Sequence, residues 1–205
     1  MMKAGILVGG LAVLAACASG TSFISSWRAP ETGPLNFKGK KVAALVMSQE
    51  EGSRYGAEAE LARQITAAGA QGIPAYSLIP KEITRDKDKA KAFLEKANIA
   101  GVVVMRVVGQ NQEYTSSPST YYSGPYYATF WGGGYYGYGW GGVYDPGYLR
   151  TDTVFQVETL VYSLEQDKLV WAGRSKTTNP KDVNSFVKAL AQGAVSEMKK
   201  TGLIK

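Results

Sequence analysis

The sequence predicts an α/β fold: a layered sheet with a β-α-β-α-β half, a long Gly/Tyr-rich insertion, an antiparallel hairpin and a C-terminal helix. Two short runs, 40–48 and 99–109, are apolar at almost every position, as in central strands of a parallel sheet that is covered on both faces. Two patterns of helical period lie between these runs. A later segment, 153–163, alternates apolar and polar residues as a half-buried strand does.

The first half of the fold follows from the two helical patterns. In each helix apolar residues recur at helical spacing: Ala57, Leu61, Ile65 and Ala68 in the first, and Ala90, Phe93, Leu94 and Ala97 in the second. Ser53 is the predicted N-cap of the first helix and Gly69 ends it, while Asp86-Lys87-Asp88 caps the second, which Asn98 ends. Residues 72–76 predict a short strand, which Pro74 places at a sheet edge or strand start.

The second half predicts a hairpin and a helix. A turn at 165–168 joins strand 153–163 to a second strand at 169–173. Asn179 is the predicted N-cap of the last helix and Pro180 its first residue. The helix carries an apolar stripe typical of core packing: Val183, Phe186, Val187, Leu190, Ala194 and Met198.

The N-terminus has the pattern of an export signal. Lys3 is followed by an apolar run of eleven residues, 6–16, which is too short to span a bilayer. The run ends in Leu14-Ala15-Ala16-Cys17, which resembles the lipobox of bacterial lipoproteins. The resemblance implies that the signal, residues 1–16, is removed and that Cys17 carries acyl chains on its sulfur and on its new amine.

The lipobox also implies a location and a partner. Ala18 and Ser19, rather than Asp, follow Cys17, which in Gram-negative lipoproteins implies the outer membrane, facing the periplasm. The lipid bilayer is then one partner, held through acylated Cys17. Residues 17–36 are rich in Ser, Thr, Gly and Pro and predict a tether whose end packs on the domain through Trp27. Residues 37–205 form a single domain with the insertion at 111–150.

A wider similarity covers most of the mature chain. The segments "SSWRAP", "FKGKKVAALV", "AYSLIP", "YLRTDTVFQVETLVYS" and "WAGRSKTTNPK", together with the Gly/Tyr-rich segment, resemble a group of uncharacterised bacterial envelope lipoproteins. This resemblance implies no activity, and Cys17 is the one functional residue that it transfers.

Composition argues against most enzyme chemistry. The chain has no His, which excludes Ser-His-Asp and Cys-His catalysis and His-ligated zinc, and its one Cys is the predicted lipid carrier. Residues 137–142 match G-x-G-x-x-G, but the match lacks a preceding strand and a following amphipathic helix. We therefore predict no cofactor, no metal and no enzymatic activity. The alternative is a carboxylate-based glycan hydrolase that uses the adjacent pair Glu50 and Glu51.

The Gly/Tyr-rich segment leaves three interpretations open. Residues 121–148 hold twelve aromatic residues and nine Gly, and Lys and Arg are absent between Arg106 and Arg150. The lack of cations argues against a nucleic-acid partner. The segment is a loosely packed insertion, an arm that contacts another envelope protein or the membrane interface, or a platform that stacks on peptidoglycan or polysaccharide.

The predicted parallel strands define a candidate site. Ligands of open α/β sheets bind outside the carboxyl ends of the parallel strands. The residues predicted to leave those ends, with two from the aromatic segment, are Glu50, Glu51, Arg54, Gln110, Gln112, Tyr135 and Trp140. The sequence therefore predicts a membrane-anchored, non-catalytic interaction or structural module, with peptidoglycan or polysaccharide binding as the alternative.

Overall fold

The computed structural model describes residues 20–48, 50–83, 86–114 and 151–204. Six strands and three α-helices follow along these residues: β1 Thr21–Arg28, β2 Lys41–Met47, α1 Glu51–Ala67, β3 Gln71–Pro74, α2 Lys87–Lys96, β4 Ile99–Tyr114, β5 Thr151–Ser163, β6 Lys168–Thr178 and α3 Val183–Lys200. Two short 3₁₀ turns, Ala75–Ser77 and Lys81–Ile83, connect β3 to α2.

The strands form one mixed sheet in the order β1-β6-β5-β4-β2-β3. β2 pairs in parallel with both β3 and β4, whereas the pairs β4–β5, β5–β6 and β1–β6 are antiparallel. The predicted α/β class is confirmed. β3 lies at one edge of the sheet, in agreement with Pro74, because a proline has no N–H to donate to a second neighbour.

Helices cover both faces of the sheet. α1 and α3 pack on one face, over a core cluster that includes Val46, Leu61, Phe155, Phe186 and Leu190. We call this the α1/α3 face. α2 and the first 3₁₀ turn pack on the other, the α2 face, over a cluster that includes Leu45, Leu94, Val104 and Leu160. Successive residues of a strand alternate between faces, so β2 and β4 need apolar residues at nearly every position.

β1 differs from the predicted tether. Residues 21–28 pair antiparallel with β6 from Thr21↔Thr177 to Arg28↔Trp171. The physical reason is Phe23, whose ring centroid lies 6.0 Å from that of Trp171. A Cβ on Gly193 of α3 would lie 2.7 Å from the same ring, so a residue without a side chain lets α3 approach β1 closely. The strand thus contributes to the core beneath α3.

Two of the helices begin at other N-cap residues than the sequence predicts. Glu50, rather than Ser53, is the N-cap of α1, and the N-cap of α3 is Asp182, whose side chain accepts from Ser185 N at 2.8 Å. Asn179 instead accepts from Thr153 N through its side chain and has a φ of 46°. The predicted cap of α2 is confirmed in Asp86, which accepts from Lys89 N.

Two further differences concern exposure and strand length. Phe93, predicted on the apolar stripe of α2, is 41% exposed. β4 extends to Tyr114, which pairs with Thr151, so residues 111–114 of the predicted insertion belong to the sheet. Residues 115–150, which include the Gly/Tyr-rich segment, lie outside the described residues. Within the described part of the chain, no helix combines the length and apolar character needed to cross a bilayer.

Candidate functional site

Three of the predicted site residues lie at the carboxyl end of β2. Glu50 is the N-cap of α1, Glu51 is its first helical residue and Arg54 follows within the first turn. The Glu50 carboxylate accepts a hydrogen bond from the Ser53 hydroxyl at 2.5 Å. Because only three residues separate the end of β2 from the start of α1, this helix start lies at the edge of the sheet where ligands of α/β proteins bind.

An aromatic pair stands next to these residues. The rings of Tyr55, in α1, and Tyr76, in the 3₁₀ turn after β3, meet edge to face with 4.9 Å between centroids. The guanidinium carbon of Arg54 lies 4.9 Å from the centroid of Tyr55, within the range of a cation–π contact. Tyr55 and Tyr76 are 40% and 41% exposed, respectively. We call Arg54, Tyr55 and Tyr76 the edge cluster.

A buried carboxyl group hydrogen-bonds to the backbone that carries the edge cluster. Glu58 of α1 is fully buried, and its two side-chain oxygens accept from Val46 N at 3.3 Å and Tyr76 N at 2.7 Å. These bonds tie α1, the end of β2 and the turn after β3 to one side chain. Burial raises the pKa of Glu58 to about 7, while the two backbone N–H groups and Arg54 act in the opposite direction. Glu58 therefore holds the backbone around the edge cluster in one arrangement.

Gln110 and Gln112 lie differently from the prediction. Both belong to β4, where they pair with Phe155 and Thr153, instead of standing in a connection that leaves the strand. The last pair between β2 and β4 is Met47↔Arg106, so Gln110 lies four residues, or about 13 Å, beyond the end of β2. The sheet edge is uneven because β4 continues along β5 where β2 stops. Cys17, Tyr135 and Trp140 lie outside the described residues.

The α2 face carries a charged cluster that was not predicted from the sequence. The Glu158 carboxylate, in β5, accepts from Arg106 Nη2 at 2.6 Å on one side and from Arg174 Nη2 at 2.7 Å on the other. Glu158 is buried, and the two arginine side chains are 22% and 24% exposed. The Nε of Arg174 is buried and has no hydrogen-bond partner within the described residues. We call these three residues the Arg-Glu-Arg triad.

A tyrosine with a raised pKa lies on the same face as the triad. Burial raises the pKa of Tyr162, on the same face, to about 12, with Arg106 lowering it and Glu158 raising it. The Tyr162 hydroxyl therefore stays protonated at neutral pH. A signal for one member of the triad did exist in the sequence, since Arg106 interrupts the apolar run 99–109. Nothing in the sequence indicated that three separate strands would bring these charges together.

The described residues include no cluster of metal ligands, and their main depression is shallow. Within residues 20–48, 50–83, 86–114 and 151–204, no group of three or more His, Cys, Asp or Glu stands close enough to hold a metal ion. A shallow depression of about 750 Å³ lies at the amino ends of β2, β3 and β4, lined in part by Lys40, Lys41, Glu95 and Glu165. The depression and the edge cluster therefore lie at opposite ends of the parallel strands.

Comparison with known proteins leaves the family open. No protein-family model matches the sequence, and a search of curated proteins finds no match. Among solved structures, the PelC dodecamer from Paraburkholderia phytofirmans is 13% identical with a TM-score of 0.46, covering 84% of this chain and 94% of that one. Lipoprotein GNA1162 from Neisseria meningitidis is 12% identical with a TM-score of 0.41, covering 79% and 99%. A minor lipoprotein from Acinetobacter baumannii is 12% identical with a TM-score of 0.26, covering 79% and 94%. Similarities this distant establish neither a family nor an activity.

Proposed function

We propose that this chain is a lipid-anchored protein of the bacterial cell envelope that acts as a non-catalytic interaction module. Its anchor is the acylated Cys17, in the outer membrane and facing the periplasm. Its binding surface is the edge cluster of Arg54, Tyr55 and Tyr76, which engages another envelope protein.

The observation that supports this proposal is the pair of exposed tyrosine rings, Tyr55 and Tyr76, on an ordered backbone. Tyr and Arg are enriched where proteins bind each other, because they offer a large contact area together with a polar group. Tyr55 and Tyr76 are each about two-fifths exposed, and Glu58 holds the backbone of Tyr76 from below. Such an arrangement loses little conformational freedom on binding, since its backbone is already ordered.

Glycan hydrolysis receives less support from the same geometry. The Glu50 carboxylate is hydrogen-bonded to Ser53 within the helix start. Glu58 has the raised pKa that a general acid needs, but its carboxyl is fully buried and occupied by two backbone N–H groups. The exposed tyrosine rings could instead stack on the sugar rings of peptidoglycan, which is the second candidate.

The anchor is tested first. Mass spectrometry of the mature protein should find acyl chains on Cys17, and Cys17→Ser should move the protein from the membrane fraction to the soluble fraction. Retention of the Cys17→Ser variant in the membrane fraction would contradict the lipid anchor.

The binding surface is tested in parallel. Crosslinked envelopes from cells that carry the native chain should yield a defined partner, and the double variant Tyr55→Ala/Tyr76→Ala should lose it. Phe93→Ala is the matched control, because Phe93 is equally exposed but lies on α2. Equal recovery of that partner by all three proteins would rule out the edge cluster as its site.

Purified peptidoglycan separates the remaining candidates. Sedimentation of the protein with peptidoglycan, lost in the tyrosine double variant, would favour the glycan platform over a protein partner. Release of peptidoglycan fragments that Glu51→Gln abolishes would overturn the non-catalytic proposal in favour of a hydrolase.

A further inference from the structure

β1 is an edge strand whose outer side has no neighbour among the described strands. Exposed edges pair readily with other strands, and proteins usually protect them with charged residues, with proline or with a bulge. The stretch 21–27 contains neither a charged residue nor a proline. Its protection is a bulge at Ile24, which has no partner in the register with β6. A strand that carries the same bulge at the matching place would still fit this edge.

Two hydrogen bonds show which backbone groups of β1 point outward. The Gly20 carbonyl accepts from Thr178 N at 3.4 Å, and Ala29 N donates to Val170 O at 3.1 Å, so both ends of the strand face β6. Along a regular strand, successive residues direct their N–H and C=O groups to opposite sides. Gly20 and Ala29 are an odd number of positions apart, so the alternation slips once, at the bulge. Counted from each end, the residues that point away from β6 are Thr21, Phe23, Ser26 and Arg28.

These outward residues are placed symmetrically about the middle of the strand. Thr21 and Arg28 are equally far from the midpoint, and so are Phe23 and Ser26. In an antiparallel pair of two copies, Thr21 of one copy therefore meets Arg28 of the other, and Phe23 meets Ser26, with all four sets of backbone groups facing each other. The two bulges lie opposite each other at the centre, so the register is the same on both sides of them. A second copy thus matches an edge that a regular strand would not.

The side chains of β1 also suit this register. Ile24, which is 55% exposed, would lie opposite Ser25 of the second copy, and Phe23 would lie opposite Ser26. Directly opposed residues have Cβ atoms about 5 Å apart, so a large side chain fits best beside a small one. The pairing therefore places bulky apolar residues next to serines instead of next to each other.

The charge at the end of β1 does not oppose the pairing. Arg28 is the only charged residue of the strand and would face Thr21 of the second copy. Its guanidinium donates to Thr201 O at 2.6 Å within its own chain. The two Arg28 residues would stand at opposite ends of the paired segment, roughly 23 Å apart along the strands. Thr21 also stands at an outer end, so the residues before it need not cross the interface.

We infer that β1 is an interface between two copies of this chain, which pair antiparallel about a twofold axis and join their sheets into one. The edge cluster lies beside β2 and β3, at the other side of each sheet, so both copies keep it for the partner proposed above. The pairing does not depend on acylation of Cys17. That anchor would strengthen it, because two copies held at one membrane have a higher effective concentration.

Disulfide crosslinking tests the position and the register of this interface. Ser25 lies next to the twofold axis, so a cysteine there would come within disulfide range of its own copy, about 6 Å between Cα atoms. Gln71→Cys, on the exposed edge strand β3, and Phe93→Cys, on α2, are matched controls. The native chain, which keeps Cys17, gives the background. Mild oxidation of intact cells should convert Ser25→Cys to a dimer several-fold more than the other three proteins.

A proline tests the hydrogen bonds of the pairing. Since the Ser26 N–H points away from β6, Ser26→Pro removes a donor to the second copy and leaves the bonds to β6 in place. In the Ser25→Cys background, Ser26→Pro should reduce the dimer to the level of Gln71→Cys, whereas Ser26→Ala should preserve it. Thermal unfolding, measured in parallel, distinguishes loss of the pairing from loss of the fold.

The possible results separate this interface from its alternatives. Equal crosslinking at positions 25, 71 and 93 would indicate random collision and overturn the pairing. A disulfide from position 25 to a different protein would show that another partner covers β1, and it would also overturn the pairing. A folded Ser26→Pro variant that crosslinks as strongly as Ser26→Ala would exclude the proposed hydrogen bonds. A Ser25→Cys dimer in a chain without acyl chains on Cys17 would support the pairing and contradict the anchor alone.

Discussion

Glu58 couples the candidate site to pH at the scale of a single residue. Its folded-state pKa of about 7 lies above the ordinary value of 4.5, so the fold favours the protonated form. The stability that Glu58 contributes is therefore fully present below pH 4.5 and is lost as the pH rises through 7. The shift corresponds to roughly 3 kcal/mol of unfolding free energy.

We expect this dependence to disappear in Glu58→Gln. Urea unfolding at pH 4.5 and pH 7.5 measures it, since the native chain should lose stability between the two values and the variant should lose much less. Glu95→Gln, at an exposed position on α2, is the control and should behave as the native chain does. Equal pH dependence in Glu58→Gln and the native chain would show that Glu58 is not the titrating group.

The Arg-Glu-Arg triad supplies the second prediction at this scale. Glu158→Ala leaves Arg106 and Arg174 without their shared counter-charge in a partly buried position, and should destabilise the fold by about 3–5 kcal/mol. Glu165→Ala removes an exposed ion pair with Lys40 and should cost less than about 1 kcal/mol. Denaturant unfolding of both variants checks the difference, and similar losses would refute the structural importance of the triad.

At the scale of elements, the packing of α1 against β3 depends on a glycine. A Cβ on Gly72 of β3 would lie 2.0 Å from the backbone oxygen of Ala62 in α1, too close for any side chain. Gly56 lies in α1 itself, and a Cβ there meets nothing within 4 Å. The same substitution should therefore have opposite effects at the two positions.

Gly72→Ala should destabilise the protein by about 1–3 kcal/mol or more, because β3 must move away from α1. Gly56→Ala should stabilise it by roughly 0.5–1 kcal/mol, because alanine restricts the unfolded chain and favours the helix. Thermal unfolding of the two variants provides the measurement. A Gly72→Ala protein as stable as the native chain would mean that α1 and β3 are not in close contact.

At the scale of the whole molecule, β4 and β5 form a long antiparallel pair whose open ends are neighbours. Tyr114 is directly opposite Thr151, so the intervening 36 residues connect two adjacent positions. The described residues on both sides of this segment form three core clusters of their own. A connection of a few residues could join these strands, as in an ordinary hairpin.

Replacement of residues 121–148 by a short Gly/Ser bridge should therefore preserve a cooperative thermal transition near the native midpoint. Shortening the loop changes its closure entropy by only about 0.6 kcal/mol for each halving of length. Calorimetry on the native and shortened chains makes the comparison. If the transition is lost, the twelve aromatic residues of 121–148 contribute to the core.

The sequence alone determined the elements whose signals are local. The apolar runs of β2 and β4, the stripe of α3 and the cap at Asp86 depend on neighbours a few residues away, and the structure has each of them. Gly69, predicted to end α1, follows its C-cap and has a φ of 98°, a conformation that glycine adopts without strain. Local periodicity and backbone preference are sufficient for such elements.

Only the tertiary structure decided the features that depend on distant strands. Residues 21–28 have the composition of a tether. They form a strand because they hydrogen-bond to β6 and because Phe23 packs against Trp171. Asp182, and not Asn179, caps α3, because the Asn179 side chain accepts a hydrogen bond from Thr153 N of β5. Glu158 meets Arg106 across 52 positions of the chain. Periodicity cannot report such contacts, because the energy of each depends on which strands become neighbours.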